Sequence, residues 1–219
     1  ATDLSQIDNI AQRFELSDSA GASVQTDWQS IAGRLTAIAS YRSSTLRRSY
    51  DVDNSPADIA NDPKDGERYH SATFEMRFQG TAGRFDYLIG AYAAHNLIIS
   101  RDSYTTGKDF EPYINMLAQG AVPLVTGLPL GKNFPSGSGV LDVFRQRSTT
   151  LAAFTHHVVT LTDRLSLMLG FRYTSETKSL DADITSNNPG CSNALALHGR
   201  TLTGVPAALQ GLVCIPNLD

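Results

Sequence analysis

Two adjacent histidines, His156 and His157, are residue types that could bind a metal or move a proton. They lie in the stretch "STTLAAFTHHVV", which reads as a β-strand, and neighbouring side chains on a strand point to opposite faces. One metal ion cannot take both rings, because a ligand pair needs a spacing that places both on the same face. We therefore interpret the two histidines as wall or interface residues of a sheet.

The acidic stretch "DVDNSPADIANDPKD" at residues 51–65 slightly resembles a calcium-binding loop. It lacks the glycine at the sixth position and the glutamate at the twelfth that such a loop uses, which favours a solvated acidic loop. Serine, histidine and aspartate occur without a "GxSxG" turn, and "GSG" at 137–139 lacks the strand-to-helix setting of a phosphate loop. The sequence offers no catalytic residue, metal ligand or cofactor site, and we expect a protein that is not an enzyme.

The only two cysteines, Cys191 and Cys214, lie near the C-terminal end of the sequence in a loop-like stretch. Their even number, with no further cysteine or histidine at metal-ligand spacing, predicts a disulfide that closes this loop outside the cytosol. Two unpaired thiols are the alternative.

Apolar and polar residues alternate along several long stretches, of which "LSLMLGFRYTSETKSL" at 165–180 is the clearest. Such alternation is typical of a strand with one apolar and one polar face. The stretches "AGRLT", "AGRFD" and "TDRLS" each place a turn-forming pair before an arginine that opens a new alternation, which predicts three tight hairpins. The predicted strands cover residues 22–30, 34–50, 68–80, 84–99, 146–160 and 164–180. The alternation breaks at Ile38 and Leu88, and its phase around Leu151–Val159 stays unassigned.

Long connections at 51–67, 101–145 and 181–219 alternate with the tight turns. Short turns at one end and long loops at the other are typical of outer-membrane β-barrels. The strands also exceed the usual length of about 5–6 residues in globular sheets. A soluble β-sandwich, whose apolar face packs on a second sheet, is the alternative.

Composition and charge narrow the classes of protein to which this sequence could belong. The net charge is -4 and the basic residues are scattered along the sequence, so the sequence shows no basic patch for binding nucleic acid. The sequence contains no run of about 18 apolar residues, so it predicts no membrane-spanning helix. Membrane-spanning strands need only about 9–11 alternating residues. The first residues, "ATDLSQIDNI", carry no signal-peptide pattern, so we expect a cytosolic protein or a mature or excised piece.

Aromatic residues lie toward the ends of several apolar stripes, as membrane-interface girdles would require. The opposite faces carry charged residues suited to a watery interior, where we expect them to form structural ion pairs. These predicted lumen-facing residues are Arg42, Glu75, Arg77, Arg172 and Glu176.

Three stretches together resemble the barrel of TonB-dependent outer-membrane receptors of Gram-negative bacteria: "LTAIASYRS…DVDNSPADI", "SATFEMRFQGTAGRFDYLIGAYAA" and "LAAFTHHVVTLTDRLSLMLGFRYTSETKSL". The match covers roughly residues 20–99 and 145–180. The resemblance implies a barrel of about 22 strands plugged by an N-terminal domain. It also implies energised import of a scarce nutrient of the siderophore-iron, cobalamin or glycan class.

The chain has room for about six strands, with no candidate plug domain and no recognisable box for the energy-transducing partner. We therefore expect residues 1–219 to be an interior piece of such a barrel: all-β, an antiparallel meander in the cell outer membrane. The implied partners are outer-membrane lipid, the plug and remaining strands, the TonB complex through a missing N-terminal part, and a small-molecule or glycan ligand. A passive outer-membrane channel is a further alternative.

Ligand contacts in such a receptor would come from the long loops and the upper wall. Aromatic rings could provide a stacking surface there. The candidates in the 101–145 loop are Tyr104, Phe110, Tyr113 and Phe134. The alternative is that these rings pack the loop on itself.

Overall fold

Six antiparallel strands form a single meander in the computed structural model, which describes residues 14–214. Each strand pairs with its neighbour in sequence, in the order β1-β2-β3-β4-β5-β6. The strands are β1 (Phe14–Ser30), β2 (Gly33–Asp51), β3 (Ala60–Ala82), β4 (Phe85–Thr106), β5 (Gly139–Thr162) and β6 (Leu165–Ser186). The predicted all-β meander of long strands is confirmed.

The two ends of the sheet differ. At one end, three two-residue turns close the hairpins β1–β2, β3–β4 and β5–β6, as the sequence predicts. Gly83 takes a φ of 64° in the second of these turns, a conformation that glycine adopts without steric cost. The other end carries the long connections and four short helices: α1 (Phe110–Leu117), α2 (Val122–Thr126), α3 (Pro189–His198) and α4 (Ala207–Cys214).

The strands are longer than the sequence alone predicts, at 17 to 24 residues. β3 begins at Ala60 and β5 at Gly139, inside the predicted loops 51–67 and 101–145. The N-terminal stretch "ATDLSQIDNI" and the last five residues of the predicted loop 181–219 lie outside the described residues.

The register aligns the apolar stripes of neighbouring strands. One row runs Trp28, Leu35, Phe78, Ile89, Thr155 and Phe171, each directly opposite the next. The same register places Leu151 opposite Ala93, which assigns the phase of β5. We call the face that carries these rows the apolar face and the other the polar face.

His156 and His157 lie on opposite faces, and His157 stacks on Phe85 of the apolar face at 5.1 Å between ring centroids.

The apolar face is the more exposed of the two, the reverse of a soluble sheet. Met76, Ile89 and Leu151 are 42%, 51% and 58% exposed, whereas Ala94 and Ala152 on the polar face are each 7% exposed. Residues 14–214 contain no second sheet that covers the apolar face, so the sandwich arrangement is not found there. An exposed apolar surface of this extent marks a site of contact with another apolar surface, either protein or lipid.

No helix within residues 14–214 is long and apolar enough to span a membrane.

A matched pair of substitutions on β5 tests whether the apolar face meets lipid. Ala153 lies on the apolar face, and Thr150 lies on the polar face opposite Glu176. We expect Ala153→Arg in the full-length protein to lower the free energy of unfolding from lipid vesicles by about 2–4 kcal/mol, because a guanidinium at mid-membrane loses its hydration. Thr150→Arg should change the free energy of unfolding little, because the new arginine gains the carboxylate of Glu176 as a neighbour. Urea titration followed by tryptophan fluorescence measures both, and a larger loss for Thr150→Arg would reverse the assignment.

Candidate ligand-binding cap and polar wall

The long connections fold into a compact helical unit, which we call the cap: residues 107–138 together with residues 187–214. Its core is a packed cluster of side chains from all four helices and the segments between them. Phe110 and Phe134 meet edge to face at its centre, with 5.1 Å between ring centroids. The buried members are Phe110, Ile114, Ala118, Val122, Val125, Phe134, Cys191, Ala194, Leu202, Val205, Val213 and Cys214.

The carboxylate of Glu111 holds the segment that follows α2 in place. Although only 5% exposed, it accepts hydrogen bonds from the backbone N–H groups of Gly131 (2.7 Å), Asn133 (3.2 Å) and Phe134 (3.2 Å). The side-chain amide of Asn133 adds a fourth bond at 2.6 Å. These donors compensate the cost of burying a charge, so Glu111 is best explained as a structural residue.

Polar contacts and a disulfide join the two parts of the cap. The Nε2–H of His198 in α3 donates to the carbonyl of Val125 in α2 at 3.0 Å. Asn188 caps α3 by accepting from Cys191 N at 3.3 Å, and its amide donates to the carbonyl of Val213 in α4. Cys191 and Cys214 form a disulfide, with Cα atoms 4.7 Å apart.

Of the four aromatic candidates in the 101–145 loop, two are buried and two are partly or well exposed. Phe110 and Phe134 are 3% and 2% exposed, so these rings pack the cap and offer no surface to a ligand. Tyr104 is partly buried against the core cluster. Tyr113 projects from α1 and is 40% exposed, so its ring is accessible.

An open apolar groove of about 330 Å³ lies beside α1 and was not predicted from the sequence. Met116 and Leu130 form its exposed apolar walls, and Pro112 and Asn115 contribute from the same helix. The spacing of Phe110, Ile114 and Ala118, each four residues apart, was the signal that could have revealed α1. The groove itself depends on how Leu130 folds back over α1, which local sequence does not encode.

The five predicted lumen-facing residues all lie on the polar face. Glu75 and Arg77 form an ion pair at 3.4 Å along β3, and Glu176 pairs with Lys178 at 3.2 Å along β6. Arg172 lies over the rings of Tyr92 and Phe154, at 5.9 and 5.7 Å from their centroids. Such stacking offsets the loss of hydration of the guanidinium.

The acidic stretch after β2 forms a tight loop that its own carboxylates organise. The Asp53 carboxylate accepts from Ser55 N at 3.0 Å and from Ala60 N at 2.8 Å, and Asp51 accepts from the N–H groups of Asp53 and Asn54. No group of three or more histidine, cysteine, aspartate or glutamate side chains within residues 14–214 could hold a metal ion. These carboxylates therefore work as turn acceptors.

This loop also contacts the start of the cap. Gly107 N donates to the carbonyl of Ile59 at 2.7 Å, and the Asp58 N–H donates to the Asp109 carboxylate at 3.0 Å. A Cβ at Gly107 would lie 2.1 Å from the Asp58 carbonyl oxygen, so this close approach requires glycine. The connections at this end of the sheet thus form one continuous layer.

No protein-family model and no curated protein sequence matches the chain. Among solved structures, the ferric yersiniabactin uptake receptor FyuA from Yersinia pestis is similar, with a TM-score of 0.53 and 14% sequence identity. The similarity covers 78% of this chain and 25% of the FyuA chain, so the chain spans about a quarter of that receptor's length. It shows that the meander has the fold of a segment of a receptor barrel.

We expect Glu111→Ala to loosen the cap without unfolding the sheet. The substitution leaves the N–H groups of Gly131, Asn133 and Phe134 without their acceptor, at about 1–3 kcal/mol for each of the two buried groups, those of Asn133 and Phe134. Hydrogen exchange at residues 128–134 should therefore accelerate. Glu176→Ala removes only a surface ion pair and is the control. Unchanged exchange in Glu111→Ala would contradict the anchoring role.

The loop after β2 should lose order in acid. Burial raises the pKa of the Asp53 carboxyl, but the hydrogen bonds from Ser55 and Ala60 outweigh it and hold the pKa below its usual range. Its stabilising contribution is complete above the unfolded-state pKa of about 3.9 and is lost as pH falls through the lower folded value. We expect amide protection factors at residues 54–60 to drop over that interval. Asp53→Asn should remove this pH dependence, and a protection profile unchanged by the substitution would contradict it.

Proposed function

We propose that this chain forms part of the barrel wall of a TonB-dependent outer-membrane receptor that imports a scarce nutrient. The observation that carries the proposal is the pairing of two features in one sheet. The exposed apolar rows suit a lipid environment, and the polar face holds paired charges suited to water. The similarity to part of the FyuA barrel supports the same architecture.

In this proposal the apolar face turns toward the outer membrane and the polar face lines the lumen. Arg42, Glu75, Arg77, Arg172 and Glu176 then lie along the inner wall, where a plug domain and the remaining strands would be their neighbours. The tight turns face the periplasm and the cap faces the cell exterior, since outer-membrane barrels have short periplasmic turns and longer external loops. An N-terminal part of the full-length receptor would reach the TonB complex.

The cap offers the first contact for a ligand. Tyr113 presents an accessible ring, and the groove between Met116 and Leu130 presents an apolar surface of small-molecule size. Tyr104 could contribute from the upper end of β4. These contacts suit a compact nutrient of the siderophore-iron, cobalamin or glycan class, and the protein acts by binding and passage without chemical conversion.

A passive outer-membrane channel would use the same wall, and energy dependence separates the two functions. We expect the full-length protein, expressed in a Gram-negative host, to import radiolabelled members of a panel of ferric siderophores, cobalamin and oligosaccharides. Import should stop when a protonophore collapses the proton gradient or when the TonB complex is deleted. Import that persists under both treatments would identify a channel.

The groove makes a further prediction. We expect Met116→Gln to weaken binding of the imported compound about tenfold, because the side chain loses about 1.4 kcal/mol of apolar contact. Leu124→Gln is the matched control, since Leu124 is exposed on α2 away from the groove. Equilibrium binding to the purified full-length protein measures both. Equal affinities for Met116→Gln and the unsubstituted protein would exclude the groove as the contact.

A further inference from the structure

Arginines gather on the apolar face just beyond its apolar rows, on the side of the cap. The register places Arg47, Arg68, Arg101, Arg145 and Arg147 on this face, on four consecutive strands. At the same level the polar face carries acidic residues, among them Glu67, Asp102 and Asp142. At this level the apolar face is therefore mostly basic, with Asp18 and Asp181 at the two sides of the group, and the polar face is mostly acidic, with Arg48 among its carboxylates.

Three of these arginines surround a glycine. Gly66 lies directly opposite Arg47 on β2 and Arg101 on β4, and Arg68 follows it on the same face of β3. Because Gly66 has no side chain, the sheet surface is open here, and a groove of about 460 Å³ forms with all three arginines in its lining. A Cβ at Gly66 would come within 2.5 Å of the carbonyl oxygen of Leu46.

The central arginines have no acidic partner of their own. Asp18 lies 3.6 Å from Arg47 at one side of the group, and Asp181 lies 2.7 Å from Arg147 at the other. Within residues 14–214, neither Arg68 nor Arg101 forms an ion pair. Their guanidinium groups are exposed and free to bind an anion, and a phosphate matches their planar donor geometry.

An apolar stripe leads directly to the groove. On β4, Leu97 and Ile99 continue the apolar face beyond His95 and end at Arg101. Tyr41 on β2, Ala72 on β3 and His95 on β4 lie in one row across the sheet. Arg68 lies four residues beyond Ala72 and Arg101 lies six residues beyond His95, which is about 13–20 Å along the strands. Strand tilt reduces this to about 10–15 Å along the membrane normal, and long arginine side chains can bend toward the polar layer.

We propose that the groove around Gly66 binds the phosphorylated headgroup of a lipid in the surrounding outer leaflet. The phosphate lies between Arg47, Arg68 and Arg101, and an acyl chain runs down the stripe of Ile99 and Leu97. The apolar stripe favours a lipid over a free phosphate ion, which would gain nothing from it. The inference rests on the outward orientation of the apolar face in the proposed function.

Titration of the full-length protein in nonionic detergent with fluorescent lipid A that bears two phosphates tests this inference. We expect Arg68→Gln and Arg101→Gln each to weaken binding roughly fivefold, the usual effect of one basic residue at an anionic lipid surface. Arg68→Lys should retain most of the affinity, and phosphatidylcholine should bind weakly to all forms. Arg42→Gln is the matched control, because Arg42 lies on the polar face of β2.

The possible results separate this inference from the proposed function. Unchanged binding in Arg68→Gln and Arg101→Gln would overturn the lipid site, and a continued destabilisation by Ala153→Arg would show that the orientation still holds. A loss in Arg42→Gln alone would overturn both. Competition by equimolar inorganic phosphate would assign the groove to a free anion and overturn the lipid partner. Circular dichroism of each variant shows that a loss of binding does not come from a loss of fold.

Discussion

The backbone register of the six strands is the constraint on which the other features depend. Side chains alternate with a period of two, so a shift of one residue in any pairing would turn that strand's apolar residues to the polar face. The observed register instead aligns mostly apolar side chains in rows across all six strands. It also brings Arg47, Gly66 and Arg101 side by side, and it fixes where the cap segments leave the sheet.

The sheet and the cap are stabilised in different ways. The sheet has no packed core of its own within residues 14–214, and its apolar face stays largely exposed there. The cap has a conventional core around Phe110 and Phe134, supported by the buried Glu111 carboxylate. One chain therefore combines a sheet held together by strand pairing with a small unit held together by a packed core.

Local sequence was sufficient to find the six strands and their tight turns, although not the full length of the strands. Alternation reveals a face directly, and "AGRFD" and "TDRLS" mark turns whose chemistry is local. Ile38 and Leu88 lie on the polar face, opposite Glu75 and Gln79, so the two breaks in the pattern are apolar residues on that face. The phase around Leu151 was ambiguous because both faces of that segment carry apolar residues. Only its alignment with Ala93 on β4 resolves it.

The cap and the arginine groove depended on contacts that the sequence does not display. α1 and α2 are short, and the apolar spacing of Phe110, Ile114 and Ala118 is hidden in a segment rich in proline and glycine. Aromatic residues in a long loop suggested ligand contact, yet burial gave Phe110 and Phe134 a packing role. The arginines are scattered through the sequence, and pairing across four strands is what gathers them.

The cap draws its core from two segments that lie on either side of the β5–β6 hairpin. The closed hairpin brings these segments together, because its two strands of more than 20 residues return the chain to the end of the sheet from which it started. Cap assembly therefore reports on correct strand pairing: a slipped hairpin would displace α2 from α3 and separate His198 from Val125.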